Sequence, residues 1–239
     1  MLILAFDTTS PEGGVALYRD DASLGDLRAD GKGNYSIALF EMTDQLLANA
    51  CLRLEEVEVF AAASGPGSFT GIRVGLAAAQ GWAKAFGRPV RGVSVLEAMV
   101  EAALPHADVA LPLVDARRGE FYGGVFRRAV PTEAGSSLEF VLAGDGFAAN
   151  AERIASLAAE LTGSGKAAID MIIREHDQAA LELAAALPSS ANRIVVPGFL
   201  APAIASVALR ASREGRLQQP QGLDAWYIRR SDAEMNWRE

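Results

Sequence analysis

The chain has 239 residues, half of them apolar and 22% charged, with a formal net charge of −8 at pH 7. Those totals describe a globular chain long enough for one large domain or two small lobes, and they exclude a disordered or fibrous one. The acidic balance argues against a stand-alone nucleic-acid binder, because few cations are present to displace counterions from phosphates.

Adjacent basic residues occur only as Arg117-Arg118, Arg127-Arg128 and Arg229-Arg230. The single cysteine, Cys51, rules out an internal disulfide and is expected to be a small buried hydrophobe at the end of a helical pattern. Asp7 interrupts the apolar start too early for a signal peptide, and no apolar run reaches the roughly 18 residues of a membrane span.

In chain order, residues 2–6 read as a compact apolar strand, followed at once by Asp7-Thr8-Thr9-Ser10. Pro11-Glu12-Gly13-Gly14 is a turn, 15–18 a second strand, Asp20-Asp21 a further turn and 23–29 a third strand. Residues 36–52 form the first predicted helix. Its core stripe is Leu39, Phe40, Thr43, Leu46, Leu47 and Ala50, with Glu41, Asp44 and Gln45 toward solvent or a partner. Residues 59–63 have the length of a buried strand, and Gly65-Pro66-Gly67 breaks it. Ser68 or Thr70 then caps a helix whose apolar residues recur as Ile72, Leu76, Ala79, Ala83 and Phe86.

Gly71, Gly75, Ala78, Ala79 and Trp82 leave one side of that helix nearly bare. An interior glycine costs about 1 kcal/mol relative to alanine, so something is expected to approach closely there. A strand, a glycine turn and a helix N-terminus suit an anion. The P-loop, however, needs a Gly-Lys-Ser/Thr ending, and residues 65–71 contain no lysine. The other reading is a tight turn that lets the helix pack closely.

Residues 89–95 continue as a strand and 95–104 as a helix. In the second half, strand 109–114 ends in Asp115-Ala116-Arg117-Arg118-Gly119-Glu120, and 121–126 pairs back onto it. The strand, acidic loop and strand of the chain start therefore recur. Strand 140–143 leads through Gly144-Asp145-Gly146-Phe147-Ala148-Ala149-Asn150 to a helix ending at 161. Thr162-Gly163-Ser164-Gly165-Lys166 imitates a P-loop ending, but Glu160 and Ala167 stand where that motif needs Gly and Ser/Thr, so a flexible loop is expected. Residues 170–187 are expected to form one or two helices, Pro202 opens a helix to about 213, and 215–222 is a polar linker.

Ser64-Gly65-Pro66-Gly67-Ser68-Phe69-Thr70-Gly71-Ile72-Arg73-Val74-Gly75 resembles the signature of the TsaB (YeaZ) family. The run from Asp115 to Tyr122 is similar to that family's Asp-Ala-Arg-x-Gly-Glu-x-Tyr stretch. The run from Ala225 to Arg229 is similar to its Pro-x-Tyr-Leu-Arg tail, with Ala225 in place of the proline. The resemblance covers most of the chain except about 163–195. It implies an α/β protein of the actin-like, hexokinase-like ATPase fold (ASKHA), two lobes of mixed sheet with flanking helices. The expected division is 1–103 for the N-terminal lobe, 104–214 for the C-terminal lobe, and 215–239 for a tail returning to the first lobe.

In ATPases of that fold the first loop reads Asp-x-Gly-Thr/Ser and its aspartate holds Mg²⁺ through water. Here Thr9 follows Asp7 where that glycine stands, and its side chain crowds the approach to phosphate. The second loop, after Asp115, carries arginines rather than glycines. In the third, Asp145 replaces the middle glycine of the catalytic relatives. Two negative charges about 4 Å apart repel by about 1 kcal/mol in water and about 4 kcal/mol at an effective dielectric of 20. Asp7, Thr9, Asp115, Gly144, Asp145 and Gly146 are accordingly read as vestiges of nucleotide loops. Many TsaB relatives carry a histidine at the head of the first helix, whereas Asn34-Tyr35-Ser36 has none.

The resemblance implies a cytoplasmic, non-catalytic scaffold or activating subunit without a cofactor, metal or catalytic residue. Its partners are a TsaD-like catalytic subunit and a TsaE-like ATPase, which together move a threonylcarbamoyl group onto N6 of adenosine 37 in tRNA. The tRNA is met only through the complex, no membrane is involved, and a homodimer through the same helices is an option. The expected partner surface is Gly71, Arg73, Gly75, Ala78 and Trp82 together with Ile37 and Glu41 of the first helix. On that reading Gly75→Arg breaks the complex and spares the monomer; the alternative is that the glycine side packs on the protein's own sheet.

An active actin-like kinase or ATPase is the competing function. A glycoprotease-type peptidase is the third, and it lacks ligands: the only histidines are His106 and His176, and neither His-Glu-x-x-His nor Gly-x-Ser-x-Gly occurs.

Overall fold

The structure, a computed structural model, describes residues 1–29, 35–129, 140–163, 168–187 and 191–229. Asn34, Ser164, Gly165, Lys166, Ala167 and the C-terminal stretch from Arg230, all part of the reading above, lie outside the described residues.

The first half of the chain supplies β1 (Leu2–Asp7), β2 (Gly14–Arg19), β3 (Ala22–Arg28), α1 (Tyr35–Asn49), β4 (Val59–Gly65), α2 (Phe69–Phe86), β5 (Val90–Ser94) and α3 (Val95–Ala103). The second half supplies β6 (Val109–Arg117), β7 (Glu120–Gly123), β8 (Phe126–Arg128), β9 (Phe140–Leu142) and β10 (Phe147–Asn150). It continues with α4 (Ala151–Thr162), β11 (Ile169–Arg174), α5 (Gln178–Ala186), β12 (Ala191–Val196) and α6 (Ala201–Arg213). Two compact units result: Met1–Ala98 with Gly198–Tyr227, and Met99–Pro197 with Ile228 and Arg229.

In the first unit the strand order is β3-β2-β1-β4-β5. The first three strands form an antiparallel meander, and β4 and β5 add in parallel. Every residue of β1 and β4 is buried, as expected of strands covered on both faces. One layer is a core of Leu4, Phe6 and Phe60 under Ile72, Leu76 and Ala79 of α2 and Leu39, Leu46 and Leu47 of α1. The opposite layer is α6, which lies against β1, β2, β4 and β5. Its fully buried Ala201, Ala208 and Ala211 let it come close to the sheet.

The second unit repeats this plan. Its order is β10-β7-β6-β11-β12, again two antiparallel neighbours on one side of the founding strand and two parallel ones on the other. β8 and β9 form an insertion between its second and third strands. This internal duplication is the α/β architecture of the actin-like, hexokinase-like ATPase fold.

Several elements differ from the sequence expectation. Residues 169–174 are a wholly buried strand, not helix, and only 178–186 are helical. A short apolar run buried on all sides has no period that separates strand from helix. β12 was not foreseen. The strand expected at 121–126 splits into β7 and β8, and residues 147–150, expected in a loop, are the edge strand β10. Cys51 is exposed rather than buried, because α1 stops at Asn49 and the chain turns through a left-handed φ of 55° at Cys51. Phe40, placed in the core stripe, is 45% exposed. Helix α6, assigned to the second lobe, belongs to the first unit. Pro202 does stand in its first turn.

Candidate functional site: the first-unit loops and the outer face of α1 and α2

Asp7 ends β1, and its Oδ1 accepts the Thr9 amide (2.8 Å) and the Thr9 hydroxyl (2.5 Å). This is an aspartate closing its own turn two residues on. Asp7, Thr8 and Thr9 are all buried. The N-terminus of α2 is seated directly on the loop: the Ser68 amide donates to the Thr9 carbonyl (2.8 Å), and the Thr8 hydroxyl to the Gly71 carbonyl (2.6 Å). Ser68 caps the helix by accepting the Gly71 amide (3.2 Å).

The glycines of α2 make that seat possible. A Cβ at Gly71 would lie 1.8 Å from the Thr8 carbonyl oxygen, and one at Gly75 would lie 2.5 Å from the Thr8 hydroxyl. At Gly67, where φ is 156°, it would meet Thr9 at 2.7 Å. Ala78 is buried in the same core. The packing corrects the partner-surface expectation for Gly71, Gly75 and Ala78. The bare side at Gly71 and Gly75 is filled by the unit's own first loop and Ala78 is buried in its core, so Gly75→Arg strikes the core. The face is internal, as in the alternative reading, but what it meets is the loop after β1 rather than the sheet itself.

The corresponding loops of the second unit are open. Asp115 Oδ1 accepts the Arg117 amide (2.7 Å), the same two-residue turn as at Asp7, but Asp115 is exposed. Its own amide donates to Asp177 Oδ2 (2.8 Å), while Asp177 Oδ1 caps α5 through the Ala180 amide (3.0 Å). Arg117, Arg118 and Gly119 all take left-handed φ values, 63°, 58° and 76°. Arg117 pairs with Glu120, which leaves Arg118-Gly119 as a two-residue hairpin loop of the kind that needs positive φ at both positions. Arg229 is tied to this hairpin, through Glu120 Oε2 (2.5 Å) and the Ala116 carbonyl (3.2 Å).

In the third loop Gly144 (φ 84°) and Asp145 are exposed, and Gly146 precedes β10. Ala148 and Ala149 are strand residues, and Asn150 caps α4 by accepting the Arg153 amide (3.0 Å). Among the described residues no group of three or more His, Cys, Asp or Glu is placed to hold a metal ion. The backbone amides of His106 and Ala107 donate to Asp170, which also takes the Asn192 side chain, so this buried carboxylate closes a structural bracket.

The outer surface of α1 and α2 carries the other candidate residues. Ile37 is 61% exposed, and Glu41 is exposed beside it on α1. Trp82 is half-buried, edge-on to Phe6 (5.8 Å between centroids) and Phe40 (5.3 Å), so it joins core and surface. Arg73 is exposed. Its guanidinium lies 3.8 Å from the centre of the Phe69 ring, and its Nε donates to the Tyr227 hydroxyl (3.2 Å). Tyr227 in turn leans on Phe69, with centroids 5.3 Å apart. The small residues exposed on α2 are Thr70, Ala77, Gly81 and Ala85, and a Cβ at Gly81 would meet nothing within 4 Å. Phe40, Phe69, Ala77, Gly81 and Tyr227 were not singled out as surface residues from the sequence. The four-residue step from Ala77 to Gly81 was the available signal, one helix face away from Gly71 and Gly75.

Duplicated topology and paired aspartate turns define a protein of the actin-like ATPase fold. A family model described as "TsaD: tRNA N6-adenosine threonylcarbamoyltransferase" matches residues 31–237. The tRNA threonylcarbamoyladenosine biosynthesis protein TsaB of Bacillus subtilis is 32% identical over 127 residues, which are 53% of this chain and 56% of that protein. The protein of the same name from Haemophilus influenzae is 35% identical over 144 residues, 59% of this chain and 60% of its own length. The matched stretches thus span 56% and 60% of those relatives. A solved structure described as an uncharacterized protein with similarity to peptidase YEAZ from Pseudomonas aeruginosa superposes with a TM-score of 0.73. It is 25% identical, over 95% of this chain and 99% of that one. The chain belongs to the family of that model and, within it, to the TsaB (YeaZ) proteins. Among the described residues no helix is long and apolar enough to cross a membrane.

Proposed function

We propose that the chain is a non-catalytic scaffold or activating subunit for threonylcarbamoyl transfer to N6 of adenosine 37 in tRNA, working in the cytoplasm. It serves a TsaD-like catalytic subunit and a TsaE-like ATPase. The observation that carries the non-catalytic half is Asp7: its carboxylate is buried and its Oδ1 accepts both the Thr9 amide and hydroxyl, with α2 pressed onto the same loop. A carboxylate that must hold hydrated Mg²⁺ has to face the site, and this one faces its own turn. In the second unit the second loop carries arginines rather than glycines, and the third exposes Asp145, a charge that repels a phosphate.

The partner surface in this reading is the outer face of α1 and α2, with Ile37, Phe40, Glu41, Arg73, Ala77 and Trp82. A half-exposed Trp-Phe pair beside small residues on a helix suits a close-packed helical partner. A stable complex of this kind buries about 1,200–2,000 Å² in total. A second copy of the chain competes for the same face, and tRNA is met only through the complex.

Two measurements test the reading. Titration of the isolated chain with Mg-ATP is expected to give no binding near or below a dissociation constant of about 1 μM; binding of that strength promotes the kinase alternative. Co-purification with the cognate TsaD-like subunit is expected to give a stoichiometric complex, and separate elution of the two proteins refutes it.

A further inference from the structure

We propose that Arg73 is the polar anchor of the α1–α2 face, a guanidinium preset to grip a carboxylate of the partner protein, and that Tyr227 is its positioning residue. The inference rests on the reading of that face as a protein interface. An exposed arginine on a helix normally samples many rotamers and loses that freedom when a partner fixes it. Arg73 is already fixed on two sides while remaining exposed: the Phe69 ring lies 3.8 Å beneath it, and the Tyr227 hydroxyl takes its Nε at 3.2 Å.

Both of those supports are neutral. The chain has 30 acidic residues against 22 basic ones, and Arg91, Arg128, Arg213 and Arg229 each pair with a carboxylate. Among the described residues Arg73 has none. The stack uses the flat face of the guanidinium and the phenol uses its Nε edge. What is left is the Nη1 and Nη2 fork, the geometry that takes a carboxylate with two parallel hydrogen bonds. One turn to either side on α2 stand Thr70 and Ala77, exposed and small, so the fork rises from low ground that a partner helix can approach. A nucleic-acid phosphate is the other source of a two-oxygen anion. Glu41 and Asp44, exposed on α1, and the net charge of −8 oppose a polyanion. They tolerate a single carboxylate on an otherwise apolar surface.

The test is isothermal titration of the full chain against the cognate TsaD-like subunit. Arg73→Ala is expected to raise Kd by roughly 30-fold, about 2 kcal/mol, the floor for an interface anchor. Arg73→Lys is expected not to restore binding, because an ammonium has neither fork nor stacking plane. Tyr227→Phe keeps the ring against Phe69 and removes only the phenol oxygen. It is expected to weaken binding roughly three- to tenfold, with an unchanged Tm and a smaller loss when combined with Arg73→Ala. Wild-type affinity in Arg73→Ala, alongside loss of binding in Phe40→Asp, overturns the anchor while sparing the interface. Wild-type affinity in Phe40→Asp overturns the interface itself. A tRNA gel shift by the isolated chain that disappears in Arg73→Ala assigns the fork to RNA phosphate and also overturns the proposal.

Discussion

The two units have one topology and one turn in common, yet they treat the founding loop oppositely. In each, the aspartate after the first strand accepts the amide two residues on, Asp7 from Thr9 and Asp115 from Arg117. In each, the turn after the fourth strand reaches back to that loop. In the first unit the contact is backbone to backbone, Ser68 to Thr9, and glycines at 67, 71 and 75 let the helix lie on the loop and bury it. In the second it is a side chain, Asp177, that spans to the Asp115 amide, and a nine-residue helix follows instead of an eighteen-residue one. The difference shows how glycine decides whether the loop after the founding strand is sealed or left open. Without Cβ atoms the helix approaches by direct contact and nothing else fits between; with a side-chain bridge the loop stays at the surface.

The strongest way to break this contrast is to refill the seat. Gly75→Arg forces atoms into a site where even a Cβ would lie 2.5 Å from Thr8. It is expected to cost more than about 3 kcal/mol and to leave little folded protein in a thermal melt. A normal melt would mean that the helix is not seated on the loop. Next in size is Thr9→Gly, which restores the ATPase-like glycine. It removes a hydroxyl donor from buried Asp7 and frees the backbone, for an expected loss of about 2 kcal/mol by denaturant titration. Binding of Mg-ATP should stay undetectable, because α2 still covers the loop; micromolar binding would show that Thr9 alone sealed it.

The second unit offers the matching test. Asp177→Ala removes both the α5 cap and the bridge to Asp115, with an expected loss of about 1 kcal/mol, seen as a lower denaturant midpoint. A loss equal to that of Gly75→Arg would erase the contrast between a sealed loop and a bridged one. The smallest effect is expected at Thr43 of α1. Its side chain is buried, and its hydroxyl has no hydrogen-bond partner among the described residues. Thr43→Val should raise the stability of the first unit by about 1 kcal/mol, since an orphaned buried hydroxyl is replaced by a methyl of the same shape. A destabilised Thr43→Val would mean that the hydroxyl has a partner after all.

The sequence by itself determined the elements whose signals are local. The apolar runs at residues 2–6 and 59–63, the breaking glycines at 65 and 67, the Ser68 cap and Pro202 in the first turn of α6 each rest on a few adjacent residues, and the structure has them where they were expected. The repeat of strand, acidic loop and strand was legible for the same reason, and with it the fold. What only the tertiary structure decided was which neighbour each face meets. The periodicity of α2 announced a bare side at Gly71 and Gly75 but is silent about direction, since a glycine stripe reads alike whether a loop or a partner lies on it. Phe40 has the spacing of a core residue, yet it sits at the margin of α1 where the core ends and Trp82 begins the surface. Ile169–Arg174 is buried on every side, so no alternation survives to mark it as a strand. Arg73, Phe69 and Tyr227 meet across 154 residues of chain, and such a meeting is made by the return of the chain to the first unit from Gly198 onward, a long-range closure that no local pattern encodes.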